Sequence, residues 1–522
     1  MAQRRASGQR LLLPESAQRT SGRDAQTMNI SAAQAIAQAV RTTLGPKGMD
    51  KMLIDSSGNV VVTNDGVTIL SEMDIEHPAA NMIVEVAETL EQEVGDGTTS
   101  SVVLAGELLK RAQELVEQDI HPTTVANGYR RATIKAEEIL EDRASEIDPD
   151  DVDALRKVAT TVMTGKSAED ASEYLADIVV DAVRTVHNED GIDLDDVDIR
   201  TVEGRPTHET ELVEGVLVDE EPVHAGMPVE VSDATIALLE TGIDVQEPEI
   251  DAEIAVDDPA RLKEFQDAER DSLRERVDAV ADAGVDVLFA GDDIADSAAE
   301  FLANHGILAV EGVDDDDLAR LARTTGAVRI TTVNDLSDDN LGTAGRVSVD
   351  EVGDDETIFV EGTSAVDVAT IILRGGTEGG VDEIERAIDD SLHAVRVAIE
   401  SGGVLAGGGA PEVELALALR DYADSVGGRE QLAIESFARA VEVIPTTLAE
   451  NAGIDPIDSL VELRARHDRG EISAGLDVTS GEVIDMWEDG TIEPLPVKTQ
   501  VVGAATEAAV MILRIDDVIS AN

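Results

Sequence analysis

Glu93-Val-Gly-Asp-Gly-Thr-Thr-Ser100, followed directly by Ser101-Val-Val-Leu-Ala105, is the stretch on which the reading of this chain turns. Hydroxyl residues that open an apolar run read as a helix N-terminus. Unpaired N–H groups and the helix dipole make such an end an anion site. Asp96, set between two glycines, can reach outward as a hard oxygen ligand for Mg²⁺. The plainer alternative is an Asp/Thr cap with no ligand. Surrounding one acid with Gly, Gly, Thr and Thr exceeds what capping requires.

Further motifs lie on either side of it. Arg41-Thr-Thr-Leu-Gly-Pro-Lys-Gly-Met-Asp-Lys51 follows a helical segment in which Ser31 is placed to cap. Its glycines would let backbone N–H groups approach a phosphate, and its lysines add compact charge. The Walker A spacing is missing, and Gly45-Pro46 could equally be a plain helix C-cap. Thr63-Asn64-Asp65-Gly66 reads as a tight turn. Asp390, in Ile388-Asp-Asp-Ser-Leu-His393, reads alone as a solvated helix face. Ala406-Gly-Gly-Gly-Ala-Pro-Glu412 is a glycine run opening a helix, and Thr164-Gly-Lys-Ser167 holds a lysine beside a glycine. Together they supply a phosphate cradle, a metal ligand and carboxylates to orient water. That set fits binding of a nucleoside triphosphate with Mg²⁺ and phosphoryl transfer to water.

Composition bounds the rest. The chain has 522 residues, with 40 Lys+Arg against 110 Asp+Glu, a formal charge of −70. This length suggests about three domains, and 42% hydrophobic residues exclude a disordered acidic tail. The sign of the charge speaks against nucleic acid and anionic membranes as partners. No apolar run approaches the ~20 residues that cross a bilayer, and MAQRRASGQRLLLPE is too short in apolar residues for a secretory leader. The absence of cysteine excludes disulfides, thiolate metal sites and cysteine nucleophiles. A soluble, cytoplasmic protein is expected. Only eight lysines remain beside 32 arginines. This extreme suits a cytosol of molar salt, where the Debye length is about 3 Å and surface repulsion hardly matters.

The chain reads as helical over 28–150 and again over 411–522, with chemistry-bearing loops in both parts. This favours a discontinuous layout in which the chain leaves one domain, builds others and returns. Val285–Ala290, a helix near 295–304, Ile307–Val310 and a helix near 315–323 predict a parallel sheet with crossover helices. Within that region, Ile250, Ala252, Ile254 and Val256 alternate as on a strand, and Asp258-Pro259 opens a charged helix. The strand and helix together look like an arm leaving the domain.

At these motifs the chain resembles the group II chaperonins, most closely the archaeal thermosome subunits. The matching segments include RTTLGPKGMDKML at 41–53, VTNDGVTIL at 62–70, GDGTTS at 95–100, LRGGTE at 373–378, AGGGAPEVELA at 406–416 and GLDVTSGEVIDMW at 475–487. The resemblance runs from about residue 8 to the end. It implies the chaperonin fold, multidomain α/β and α. A mainly helical equatorial ATPase domain would take 1–150 and 404–522, and a small intermediate domain 151–218 and 370–403. An α/β apical domain would take 219–369, with a helical lid protrusion at about 243–280 whose strand would pair edge-to-edge with neighbours.

By the same resemblance, Leu44, Gly45 and Pro46 would contact the nucleotide, with Asn64 near the phosphates. Asp96 would bind Mg²⁺, and Gly97, Thr98, Thr99 and Ser100 would hold phosphate oxygens. Asp65 and Asp390 would position or activate the hydrolytic water. Gly408 would lie against the nucleotide and Glu493 would take the ribose, while Lys166 would sense the γ-phosphate. The implied cofactors are ATP and Mg²⁺, with a monovalent K⁺ also open. The implied partners are identical or paralogous subunits in a double ring and non-native client proteins. An ATP-dependent phosphotransferase and a ring scaffold with weak ATPase activity are the competing readings. The chain departs from the family pattern at Gly204-Arg205, at His224-Ala-Gly-Met-Pro228, and after Asn522, where no Gly-Met-rich tail follows. A different chamber floor is therefore expected.

Overall fold

The computed structural model describes residues 18–54, 58, 60–166, 168, 171–188, 191–244, 259–353, 355–363, 365 and 367–520. Two compact units emerge. The first joins Met1–Val180 to Arg386–Asn522, and the second is Asp181–Glu385.

The first unit is a helical body. Its core is filled by Val, Leu, Ile and Ala from the helices Arg23–Arg41, Pro78–Val94, Thr98–Glu117, Pro122–Arg143, Gly428–Ala440 and Leu495–Leu513. The long apolar run of Thr98–Glu117 explains its central place, since Val102 through Leu109 are all buried. Tyr129 and Phe437 meet edge-on with centroids 5.6 Å apart, and the Tyr129 hydroxyl donates to the Leu108 carbonyl at 2.9 Å. A small antiparallel sheet places Gly403–Ala406 between Ile492–Pro494 and Ser145–Glu146. The two chain ends pair antiparallel, Gln18–Ser21 with Asp517–Ser520.

The first helix corrects one expectation. Ser31 lies inside Arg23–Arg41, which begins at Gly22, a residue with φ 69° and no side-chain cap. The apolar face formed by Ala25, Ile30 and Ala33 continues the helix back past Ser31.

The second unit carries a seven-stranded sheet. Leu308–Val310, Val287–Ala290 and Glu230–Leu239 run parallel, with Asp296–His305 and Asp315–Thr325 as the helices between and beyond them. The sheet as a whole is mixed, not parallel as predicted. On the other side of Glu230–Leu239 lie Gly342–Val352, Asp355–Thr363 and Gly215–Val218, all antiparallel. The first two of these form a hairpin turning at Gly353, whose φ of 73° needs no crossover. A second, three-stranded sheet sets Ala369–Gly375 between Val197–Glu203 and Glu211–Val213. The predicted charged helix is present as Pro259–Asp282, with Pro at its first position. The alternating strand before it, and Asp258, lie outside the described residues.

Candidate functional site

Every residue that the resemblance assigned to the nucleotide, Mg²⁺ or water lines one cavity of about 620 Å³ in the first unit, whereas Lys47 and Lys51 of the first loop do not line it; the size is typical of small-molecule sites. Leu44, Gly45, Pro46, Asn64, Asp65, Asp96, Gly97, Thr98, Thr99, Ser100, Lys166, Asp390, Gly408 and Glu493 all face it.

The Gly-Asp-Gly segment joins two helices. Gly95 closes Pro78–Val94 at φ 69°, and Gly97 opens Thr98–Glu117 at φ 87°. A Cβ on Gly97 would stand 2.5 Å from Val501 Cγ2, so this turn needs glycine on both counts. Gly97 occupies the cap position without any side-chain bond, leaving the helix end open toward the cavity. Asp96 Oδ1 accepts from the Gly97 N–H at 2.6 Å.

Asp65 caps the helix Gly66–Ser71, where its Oδ2 accepts from the Thr68 N–H at 2.6 Å. Asn64 Nδ2 donates to the Gly165 carbonyl at 2.9 Å, tying this turn to the Lys166 loop. Gly165 in turn presses on the first phosphate-type loop. At φ 81°, its Cβ would lie 2.4 Å from Pro46 Cα. The turn after Arg41 is held by Asn451, whose Nδ2 donates to the Arg41 carbonyl at 3.1 Å and the Leu44 carbonyl at 2.8 Å. Gly45 and Pro46 therefore stand past the helix end, whose C-cap is Thr42.

Asp390 sits on the helix Glu378–Ser401 and is largely buried, not solvated as its sequence setting suggested. Lys166 Nζ is paired with its Oδ2. Burial raises the Asp390 carboxyl to about 6; Lys166 opposes the shift, and Asp65 and Asp96 add to it. Burial alone would lower Lys166, but Asp390, Asp96 and Asp65 outweigh it and hold the ammonium charged. Glu91, on the helix Pro78–Val94, also lines the cavity. Burial first, then Asp390 and Asp65, push it up to about 9, so it holds a proton at neutral pH.

Sequence reasoning missed Glu91, the loop Leu476–Thr479, Met486, Asp489–Thr491 and Lys498, all of which line the cavity. Lys498 could have been found by the signal that marked Lys166, a lysine kept in a chain with eight. Glu91 carries no such signal among 110 acids.

Chemically, the cavity has an open helix N-terminus for anionic oxygens and a surplus of carboxyls around Lys166. Among the described residues no three His, Asp or Glu side chains converge tightly enough to hold a metal alone.

Fold and site together define a chain whose helical unit, which holds the cavity, is interrupted by an inserted α/β unit. Residues 36–522 match the TCP-1/cpn60 chaperonin family. The chain is 59% identical to thermosome subunit 1 of Haloferax volcanii, over 100% of this chain and 93% of that protein. It is 59% identical to thermosome subunit alpha of Halobacterium salinarum, with the same coverage of each chain. A solved structure, the open-state monomer of a group II chaperonin from Methanococcoides burtonii, is similar with TM-score 0.62 and 42% identity. That match covers 81% of this chain and 100% of that one. The chain belongs to the TCP-1/cpn60 chaperonin family and, within it, to the group II subunits of thermosome type.

Proposed function

We propose that the cavity binds Mg-ATP and hydrolyses it, and that this drives folding of non-native proteins in the chamber of a double ring of such subunits. The observation that supports this is the convergence on one cavity of every residue that the resemblance assigns to the nucleotide, Mg²⁺ or the water. Gly97, Thr98, Thr99 and Ser100 hold phosphate oxygens at the helix end, and Leu44, Gly45, Pro46, Asn64 and Gly408 line the nucleotide. Asp96 is the Mg²⁺ ligand. When bound, Mg²⁺ supplies charge neutralisation for the transferring phosphoryl group. Asp65 and Asp390 orient the attacking water and accept its proton, for which Asp390 must be ionised. Lys166, paired with Asp390, exchanges that partner for the terminal phosphate and so reports its presence. A K⁺ ion is a second cation that the acid surplus accommodates.

The equatorial, intermediate and apical division at 1–150, 151–218, 219–369, 370–403 and 404–522 is part of the same proposal, as is the lid arm at 243–280. Among the described residues no helix is long and apolar enough to cross a membrane. We place the working assembly in the cytoplasm, without nucleic acid or membrane partners.

The test is sizing in molar KCl with and without Mg-ATP. A large assembly that changes hydrodynamic size with Mg-ATP is expected. A species of subunit size only, indifferent to nucleotide, overturns the reading. Transfer to low salt should dissociate the assembly, because many subunits of charge −70 would repel once screening is lost.

A further inference from the structure

A buried triad stands beside the cavity. Lys498, in the first turns of Leu495–Leu513, donates from Nζ to Glu412 Oε1 at 2.9 Å and pairs with Glu493 Oε2 at 2.6 Å. The Glu412 and Lys498 side chains are less than a tenth exposed. Glu412 Oε2 is buried without a hydrogen-bond partner among the described residues. The triad joins the first turn of Ala410–Val426, the strand Ile492–Pro494 and the helix Leu495–Leu513 around the cavity wall.

Two buried carboxylates cannot both stay ionised side by side without a cation between them. Burial raises the Glu493 carboxyl; Lys498 is the group that opposes this, while Glu412 and then Asp96 add to it. Burial alone would lower Lys498, but its two carboxylates hold it charged. Glu493 lines the cavity and Glu412 does not. The neighbouring strand Gly403–Ala406 brings no titratable group. The helix Val152–Met163 offers Thr161, whose Oγ1 accepts from the Ile492 N–H at 3.2 Å, and Lys157, which packs on Gly490.

We propose that Lys498 is a positioning residue, balanced between Glu412 and Glu493, that keeps the Glu493 carboxylate a pure acceptor aimed at the vicinal diol of a ribonucleotide. This rests on reading the cavity as a nucleotide site with Glu493 at the ribose. Without Lys498, burial and Glu412 act on Glu493 unopposed and favour its protonated form, in which one of its oxygens becomes a donor. Recognition of the diol then weakens while phosphate chemistry elsewhere in the cavity persists.

The experiment compares KM and kcat for Mg-ATP with those for Mg-2′-deoxy-ATP and Mg-3′-deoxy-ATP, on assembled protein in molar KCl from pH 6 to 9. Lys498→Met should lose on the order of tenfold of the preference for ATP at neutral pH, the value of one hydrogen bond to a charged group. The loss should fall on KM more than on kcat, and the preference should return as pH rises. Glu412→Gln leaves Lys498 to Glu493 alone, so its preference should persist to lower pH than in the unaltered protein. An unchanged preference in Lys498→Met, or an unmoved pH dependence in Glu412→Gln, overturns the proposal. If Lys498→Met does not assemble, Glu412→Gln decides alone. Glu493→Gln separates the two layers. If it leaves the preference intact, the ribose reading itself fails. If it abolishes the preference while Lys498→Met does not, only the role of Lys498 fails.

Discussion

Two lysines line the cavity, and they are balanced differently. Lys498 lies between Glu412 and Glu493, with both partners within 3 Å and little solvent access. Lys166 is paired to Asp390 alone, yet also feels Asp96 and Asp65, while Glu91 crowds the same acids. The Lys498 group is the more nearly closed, two carboxylates sharing one ammonium, with Glu412 Oε2 left without a hydrogen-bond partner among the described residues. The Lys166 group is open, with several acids around one lysine, and burial together with Asp390 and Asp65 keeps a proton on Glu91 at neutral pH. A protein that keeps such a surplus beside a helix N-terminus has left charge for cations and phosphate to complete. Under the proposed function, the Lys498 group serves recognition and the Lys166 group chemistry.

The largest effect should come from breaking the open group. Asp390→Ala removes the partner of Lys166 and, under the proposed function, the carboxylate that orients the water. ATP turnover measured by phosphate release should fall by about 10²–10⁴-fold, while sizing shows the assembly intact. An unchanged rate would remove Asp390 from its assigned role.

Acidity probes the same group without mutation. Asp390 titrates near 6 and must be ionised to accept a proton. The kcat/KM for Mg-ATP should therefore fall about tenfold per pH unit below that point, and flatten above it. A flat profile from pH 5 to 7 would contradict the assignment.

A smaller effect concerns the frame that holds the loops. Gly165→Ala forces a side chain onto Pro46 Cα at φ 81°, a strain of about 1–3 kcal/mol. A lowered melting temperature and a raised KM for ATP are expected together. A lowered melting temperature with KM unmoved would separate that frame from binding.

The last effect is one of stability alone. Glu91 titrates near 9 in the folded state against an ordinary 4.5. The folded protein binds the extra proton between those values, so its contribution favours folding below 4.5 and is lost as pH rises toward 9. Glu91→Gln should remove that loss. Melting temperatures of the two proteins should then diverge in favour of the variant between pH 6 and 9.5, and parallel curves would contradict the shift.

The open group was mostly legible in the sequence because its signals are local. Gly95 and Gly97 are needed for backbone conformation, and the hydroxyls of Thr98 to Ser100 mark a helix start, so their neighbours in sequence suffice to place them. Asn64 and Asp65 were read as a tight turn, whereas they lead from a strand into the helix Gly66–Ser71, which Asp65 caps in an extended conformation. The closed group was not legible. Glu412 and Lys498 are 86 residues apart, and in a chain with 110 acids no single carboxylate announces a partner. Glu91 was hidden in the same way.

Two fold details were misread for related reasons. Ser31 looked like a cap because hydroxyl residues cap helices, but the apolar face of Arg23–Arg41 extends past it. The sheet of the second unit looked parallel because its strand–helix alternation is local, whereas the antiparallel partners arrive from 215–218 and 342–363.

The most direct test is the fate of the terminal phosphate of ATP, followed in molar KCl with and without Mg²⁺. Inorganic phosphate released catalytically, only with Mg²⁺ and without any added acceptor, is the expected result. No release, or phosphate recovered on a small-molecule acceptor instead, would contradict the assignment of the open group to hydrolysis.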